Sequence, residues 1–276
     1  MPRILTYLPA LAVLAAAGPA SAQHTSPRNA TIPAGNARMV QISVGAGLLR
    51  VQGEPGAAAV SVAGEARASS DRLLGEIQLV AELRGDMIHI ESRMPSPTSG
   101  WRLFNLGGQS AALDLVITVP AGMAVAAVDG SGDAEFRGTG PLRVRDGSGS
   151  LIVEDVMGEI DIEDGSGELT VRNVTGPLRI RDGSGSILIE GVGRDVTLND
   201  GSGEIVIRRV GNVHITADGS GSIDISDATG SVRIDSDGSG DIDVRGVGGD
   251  FIVGRGGSGR IRHENVRGRV ELPSRR

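Results

Sequence analysis

The residues of greatest chemical potential in this chain are aspartates set at a fixed interval. The tetrapeptide Asp-Gly-Ser-Gly begins at Asp129, Asp146, Asp164, Asp182, Asp200, Asp218 and Asp237, with a degenerate copy at Gly256, at spacings of 17, 18, 18, 18, 18, 19 and 19 residues. A carboxylate at a glycine-rich corner has two uses. It can close an Asx turn by accepting the backbone N–H two residues on, or a stacked column of such groups can offer oxygens to calcium. The calcium candidates are Asp146, Asp164, Asp182, Asp200, Asp218 and Asp237, joined after the corner by Asp133, Glu168, Glu204 and Asp241. Two bare charges about 4.8 Å apart repel by only about 0.9 kcal/mol in water. The column therefore requires no ion, and the turn is the expected role.

Other chemistries find less support. Calcium β-rolls use Gly-Gly-x-Gly-x-Asp, but Gly256-Gly257-Ser258-Gly259-Arg260 is followed by Ile261. Gly-Ser-Gly is not the Gly-x-Ser-x-Gly nucleophile elbow, and a serine repeated in every copy without a recurring histidine is structural. Gly45-Ala46-Gly47 lacks the third glycine of a dinucleotide loop, because Arg50 stands there. His24, His89, His214 and His263 show no metal-ligand spacing; His214 is expected to point outward, and His263 falls at an inward position of the last repeat. The chain has no Cys, which excludes disulfides, thiolate sites and a lipidated N-terminal Cys. Its basic residues are all Arg and its net charge of −7 argues against nucleic acid as a partner. The sequence thus predicts no enzyme activity, no catalytic residues and no cofactor.

The elements that must carry the aspartates are short strands. Within each repeat, apolar and polar residues alternate in two runs, such as Leu151/Val153 and Ile160/Ile162, separated by a Val-x-Gly turn. Period two is the mark of a strand. Like residues recur at like positions: Leu151, Leu169, Ile187, Ile205, Ile223, Ile242 and Ile261 form one column, and Val153, Val171, Ile189, Ile207, Ile225 and Val244 another. Outward positions alternate in sign from repeat to repeat, as in Arg137, Glu154, Arg172, Glu190, Arg208 and in Arg143/Arg145, Asp161/Glu163, Arg179/Arg181. Stacked parallel coils would set those charges side by side, whereas a hairpin meander gives no reason for the period. The expected fold is therefore all-β, a parallel β-solenoid of about 18-residue, two-strand coils. One such coil cannot bury enough surface to fold alone, so stability must come from stacking.

The chain divides into a signal peptide at 1–22, a flexible segment at 23–37, a β-rich N-terminal part at 38–128, solenoid repeats at 129–272 and a basic tail at 273–276. The leader has a positive start, an apolar run from Ile4 to Ala17 too short to span a membrane, and Ala20-Ser21-Ala22 before the expected cleavage. In the N-terminal part, strands are expected at Val40–Val44, Leu49–Gln52, Ala58–Ala63, Glu76–Leu83, Met87–Glu91 and Leu113–Val119. Gly45-Ala46-Gly47 with Leu49/Val51 and Val60/Val62 reads as a degenerate coil. The loop at 95–110 holds Trp101 and Phe104, which either plug the solenoid or hook a partner. An outward column of Ile152, Thr170, Leu188 and Val206 is expected as an exposed apolar stripe, with Ile152, Leu188 and Val206 as candidate contact residues.

The Val-Pro ending of Leu115–Pro120, followed by Asp-Gly-Ser-Gly-Asp at Asp129–Asp133 and serial Gly-Ser-Gly and Val-x-Gly coils, resembles a bacterial β-strand-repeat family of unknown function labelled "putative adhesin". The resemblance covers roughly residues 38–272. It implies a solenoid that meets an unidentified envelope protein or glycan without catalysis; with the leader and the lack of Cys, the expected place is the periplasm or the cell surface, not as a lipoprotein. The alternative is a calcium- or small-ligand-binding module that uses the corner carboxylates.

Overall fold

The computed structural model describes residues 24–95 and 110–274. The leader, Trp101, Phe104 and the last two arginines lie outside the described residues. The N-terminal part contains β1 (His24–Pro27), β2 (Ala30–Pro33), β3 (Met39–Ala46), β4 (Leu49–Glu54), β5 (Ala59–Ala68), α1 (Asp71–Glu76), β6 (Gln78–Arg84), β7 (Met87–Arg93) and β8 (Ala111–Pro120). From β9 (Ala124–Ser131) and β10 (Ala134–Arg137) onward, each coil adds one strand to each of two sheets. Sheet A continues through β12 (Gly149–Val156), β14 (Gly167–Val174), β16 (Gly185–Val192), β18 (Ile205–Val210), β20 (Ile223–Ala228), β22 (Ile242–Val247) and β24 (Ile261–Val266). Sheet B continues through β11 (Leu142–Asp146), β13 (Ile160–Asp164), β15 (Leu178–Asp182), β17 (Val196–Asp200), β19 (Val213–Asp218), β21 (Val232–Ser236), β23 (Phe251–Arg255) and β25 (Val270–Glu271). The protein is a parallel β-solenoid of about 18-residue coils.

The columns seen in the sequence are columns in space. Leu151 pairs in register with Leu169, Leu169 with Ile187 and Ile187 with Ile205, and the second column follows it from Val153 to Ile207. These side chains fill the space between the sheets and are fully buried. Aliphatic residues suit this position because their β-branched or compact side chains stack on the pleat with no polar atom to satisfy. Phe136 and Phe251 are the buried aromatic residues.

The N-terminal part departs from the expected layout in four ways. The coil of β3 and β4, turned at Gly45-Ala46-Gly47, does form, but it is inserted between β7/β8 on one side and β9/β10 on the other. Val60 and Val62 belong instead to β5, which runs antiparallel to β8. The segment at 23–37 is not a flexible leader to the fold. β1 and β2 pair antiparallel with β5 and cover its edge, Ile32 is buried, and the Arg28 guanidinium donates to the carbonyls of Ile77 and Leu74 at 3.0 and 3.1 Å. An uncovered strand edge next to an apolar core is costly, and this local pairing removes it. Finally, the strand expected from Glu76 starts only at Gln78, because Ser70 caps α1 by accepting the Leu73 amide and buries Leu73.

Candidate functional site

The repeated aspartates are not at the surface of the corner. Asp146, Asp164, Asp182, Asp200 and Asp218 each end a strand of sheet B at its third inward position, as in Leu142, Val144, Asp146, whereas Asp129 lies within β9 and Asp237 just past β21. Asp129, Asp146, Asp164, Asp182 and Asp200 pair one with the next in register, and Asp218 bridges to Asp237. All seven are at least nine-tenths buried, with exposures of 3–7%. At the N-terminal end the column begins on Val44, which registers with Asp129.

The Asx turn expected for these residues is not closed by a hydrogen bond of standard geometry, although the Ser166 and Ser202 amides bear on the Asp164 and Asp200 carboxyls. The N–H of the following glycine is committed to the preceding coil in several corners: Gly147 donates to the Asp129 carbonyl at 3.1 Å, Gly165 to Asp146 at 3.0 Å and Gly183 to Asp164 at 3.0 Å. Both carboxyl oxygens of Asp129, Asp146, Asp164, Asp182, Asp200 and Asp218 have no hydrogen bond of standard geometry. Asp237 differs, since its Oδ2 accepts the Gly257 amide at 3.3 Å. The aqueous estimate of repulsion no longer applies in this interior. At an effective dielectric constant of about 20, neighbouring charges about 4.8 Å apart would repel by about 3.5 kcal/mol.

Burial accordingly pushes Asp129 up to about 6 and Asp146, Asp182 and Asp218 up to about 7. For Asp146, the charges of Asp129 and Asp164 add to burial, and the Gly147 amide partly offsets both. Asp164 and Asp200 are also raised by burial, but contact with the flanking carboxyls and the nearby backbone amides holds them down. Every one of these carboxyls is thus raised above the ordinary carboxylate range, with burial as the first cause. Among the described residues, no three carboxyl or imidazole groups converge into a metal-holding cluster.

The outward charges form ladders. Glu154 lies between Arg137 and Arg172 at 3.2 and 2.9 Å. Arg172 also reaches Glu190 at 3.6 Å. Glu190 then meets Arg209 at 2.6 Å, although Arg208 is its register partner. On sheet B, Glu163 lies between Arg145 and Arg181 at 2.9 and 3.3 Å. His214 points outward as expected, and its Nε2 lies 2.7 Å from Asp235, whose carboxyl it holds below the usual range. His263 is exposed, its ring tilted 6.1 Å from Phe251 at the end of the stack.

The expected apolar stripe is in register but not laid open. Ile152, Leu188 and Val206 are half-buried and Thr170 is buried. Among the described residues the exposed large apolar side chains are Leu83, Val116, Val128, Met157 and Leu272, at separate places in the chain. Sequence reasoning missed these because Val116 and Val128 sit in ordinary alternating runs. A shallow open groove of about 450 Å³ crosses the start of the sheet B strands, over Ala126, Pro141 and Pro177, and is edged by Arg143, Asp161 and Arg179. Arg143 and Asp161 approach to 3.6 Å there, as one more rung of a ladder.

No family model matches this chain, and no curated protein matches it. Solved structures do. A Parabacteroides distasonis protein named as a "putative lipid binding protein" is 18% identical, with a TM-score of 0.50, over 90% of this chain and 97% of its own. A Bacteroides fragilis "putative adhesin" is 14% identical, with a TM-score of 0.36, over 91% and 98%. A Clostridium sporogenes "putative cell adhesion protein" is 11% identical, with a TM-score of 0.32, over 87% and 99%. At such identities the likeness concerns the fold alone.

Proposed function

We propose that the protein is an exported, non-enzymatic solenoid that presents its faces to a protein or glycan of the cell envelope. The observation that carries this is the use of its charged side chains: from Arg137 through Glu154, Arg172 and Glu190 to Arg209 they bind one another along the stack. Groups arranged in that way fix register and leave a broad, regular surface, in contrast to the convergent geometry that catalysis demands. The leader at 1–22 supports export. Among the described residues no helix is long and apolar enough to cross a membrane. The adhesion wording in the names of similarly folded proteins is compatible with such a role. Trp101 and Phe104 serve as the contact residues most suited to a partner, because aromatic anchors dominate interface energetics.

Crosslinking in intact cells that express the full chain tests this. The expected result is a discrete envelope adduct that is lost when Trp101 and Phe104 are both changed to Ala in a protein of unchanged melting temperature. Retention of the native chain in the cytoplasm, or an adduct indifferent to the double variant, contradicts it.

A further inference from the structure

The strongest unexplained feature is the interior carboxyl column. Twelve carboxyl oxygens, two from each of Asp129, Asp146, Asp164, Asp182, Asp200 and Asp218, are buried without a hydrogen bond of standard geometry, and only backbone amides of the corners bear on them as donors. Buried polar atoms are almost always hydrogen-bonded, so a run of this length calls for more donors than the corner amides provide. In several corners the following glycine amide is engaged with the preceding coil. On the same strands, Arg145, Glu163 and Arg181 take outward positions and bond to one another. The charged residues after the corners, Asp133, Glu168, Glu204 and Asp241, occupy outward positions of sheet A and are themselves acids. Toward the interior the neighbours are aliphatic, Val144, Ile162, Ile180 and Leu198 on the same strands. Among the described residues, no Arg or His bonds to any of the six carboxyls.

We propose that the column binds protons as its ligand: neighbouring aspartates share them in alternating carboxylic acid to carboxylate hydrogen bonds, about one proton for every two side chains. A shared proton turns two repelling acceptors into a donor and an acceptor, and charge-assisted bonds of this kind are stronger than neutral ones. The in-register stack provides the geometry, since from Asp146 to Asp200 each carboxyl has a like neighbour in the coil above and in the coil below, and Asp129 has one in the next coil. Burial raises the carboxyls all along the column, as proton uptake by it requires.

Because the folded pKa values lie above those of the unfolded chain, folding takes up protons. The stabilisation is fully present below the ordinary Asp pKa of about 4 and is lost as pH rises through about 7. Urea unfolding of the full-length protein at pH 6, in weak buffer with an indicator dye, should therefore release about three protons per chain from the three pairs. A variant carrying D146N, D182N and D218N places amide donors where the acids stood. It should fold and release about three fewer protons, with the histidine background unchanged. Its melting temperature should no longer fall between pH 5 and pH 8. Equal release from the two proteins, or no release from the wild type, overturns the proposal. So does a melting temperature raised by calcium at pH 7 without proton release, which would assign the column to a cation. If the variant fails to fold, the infrared carbonyl band of protonated carboxyls decides. In the wild type at pH 6 it should be present in the native state and lost on unfolding, and its absence from the native state overturns the proposal.

Discussion

Within each corner tetrapeptide the four residues meet different demands. The aspartate turns inward, and the two glycines serve unlike purposes. The second glycine has a positive φ, such as +142° at Gly185 and +148° at Gly203, where a side chain is strained. The first has no such torsion but lies so close to the preceding corner that a Cβ on Gly201 would run into the Gly183 carbonyl. Gly203→Ala suffers both faults, because its Cβ would also strike the Gly185 carbonyl. It should destabilise the protein by roughly 3 kcal/mol in urea unfolding. Gly193→Ala, whose Cβ meets nothing closer than 3.7 Å, should change stability by less than about 0.5 kcal/mol. Equal costs at the two sites would contradict this division. The sequence reveals that the aspartates recur and that glycine must follow them. It does not reveal which way the carboxyl turns, because a polar residue at the end of an alternating run reads as turn chemistry. Only the strand continuing one residue further, with Asp146 as the third inward member of β11, places it inside.

At the level of the strand, the alternating charges act as register marks. Exposed ion pairs contribute about 0 to 1 kcal/mol each. The sheet A ladder is better shielded, however, with the Glu154 side chain only 16% exposed between its two arginines. Arg172→Glu would set three acids side by side at 154, 172 and 190. It should cost about 1–2 kcal/mol at low ionic strength. High salt should remove much of that cost, and Arg172→Gln should lose less. Urea midpoints at two salt concentrations measure it, and a salt-independent loss would mean that Arg172 acts through packing alone. The ladders were legible in the sequence because sign and period coincide. The exception, Glu190 turning to Arg209, was not. Arg209 has a positive φ of 54°, a local bend that brings its guanidinium rather than that of Arg208 to the acid.

Over the whole molecule the two ends are unlike. At the N-terminal end β1, β2 and β5 fold antiparallel over the stack, while at the other end β24 and β25 present Ile261, Val266 and Val270 half-buried with no further coil upon them. The repeats announce the solenoid because each column has a period. The N-terminal part conceals its layout because the coil of β3 and β4 is completed by neighbours from later in the chain, an arrangement that no local pattern encodes. If the coils are interchangeable units held by their neighbours, stability should be close to a sum over coils and interfaces. Excision of one whole coil tests this most directly. Deleting Gly165–Asp182 rejoins Asp164 to Gly183, so the corner Asp-Gly-Ser-Gly is restored and every later column moves up by one place. Thermal unfolding followed by circular dichroism should show a β-rich protein that melts cooperatively at a lower temperature than the full chain. Deleting only Gly165–Asn173, which removes a strand from one sheet and leaves its partner, should abolish the transition. A whole-coil deletion that unfolds the protein as completely as the half-coil deletion would contradict the stacked-coil architecture.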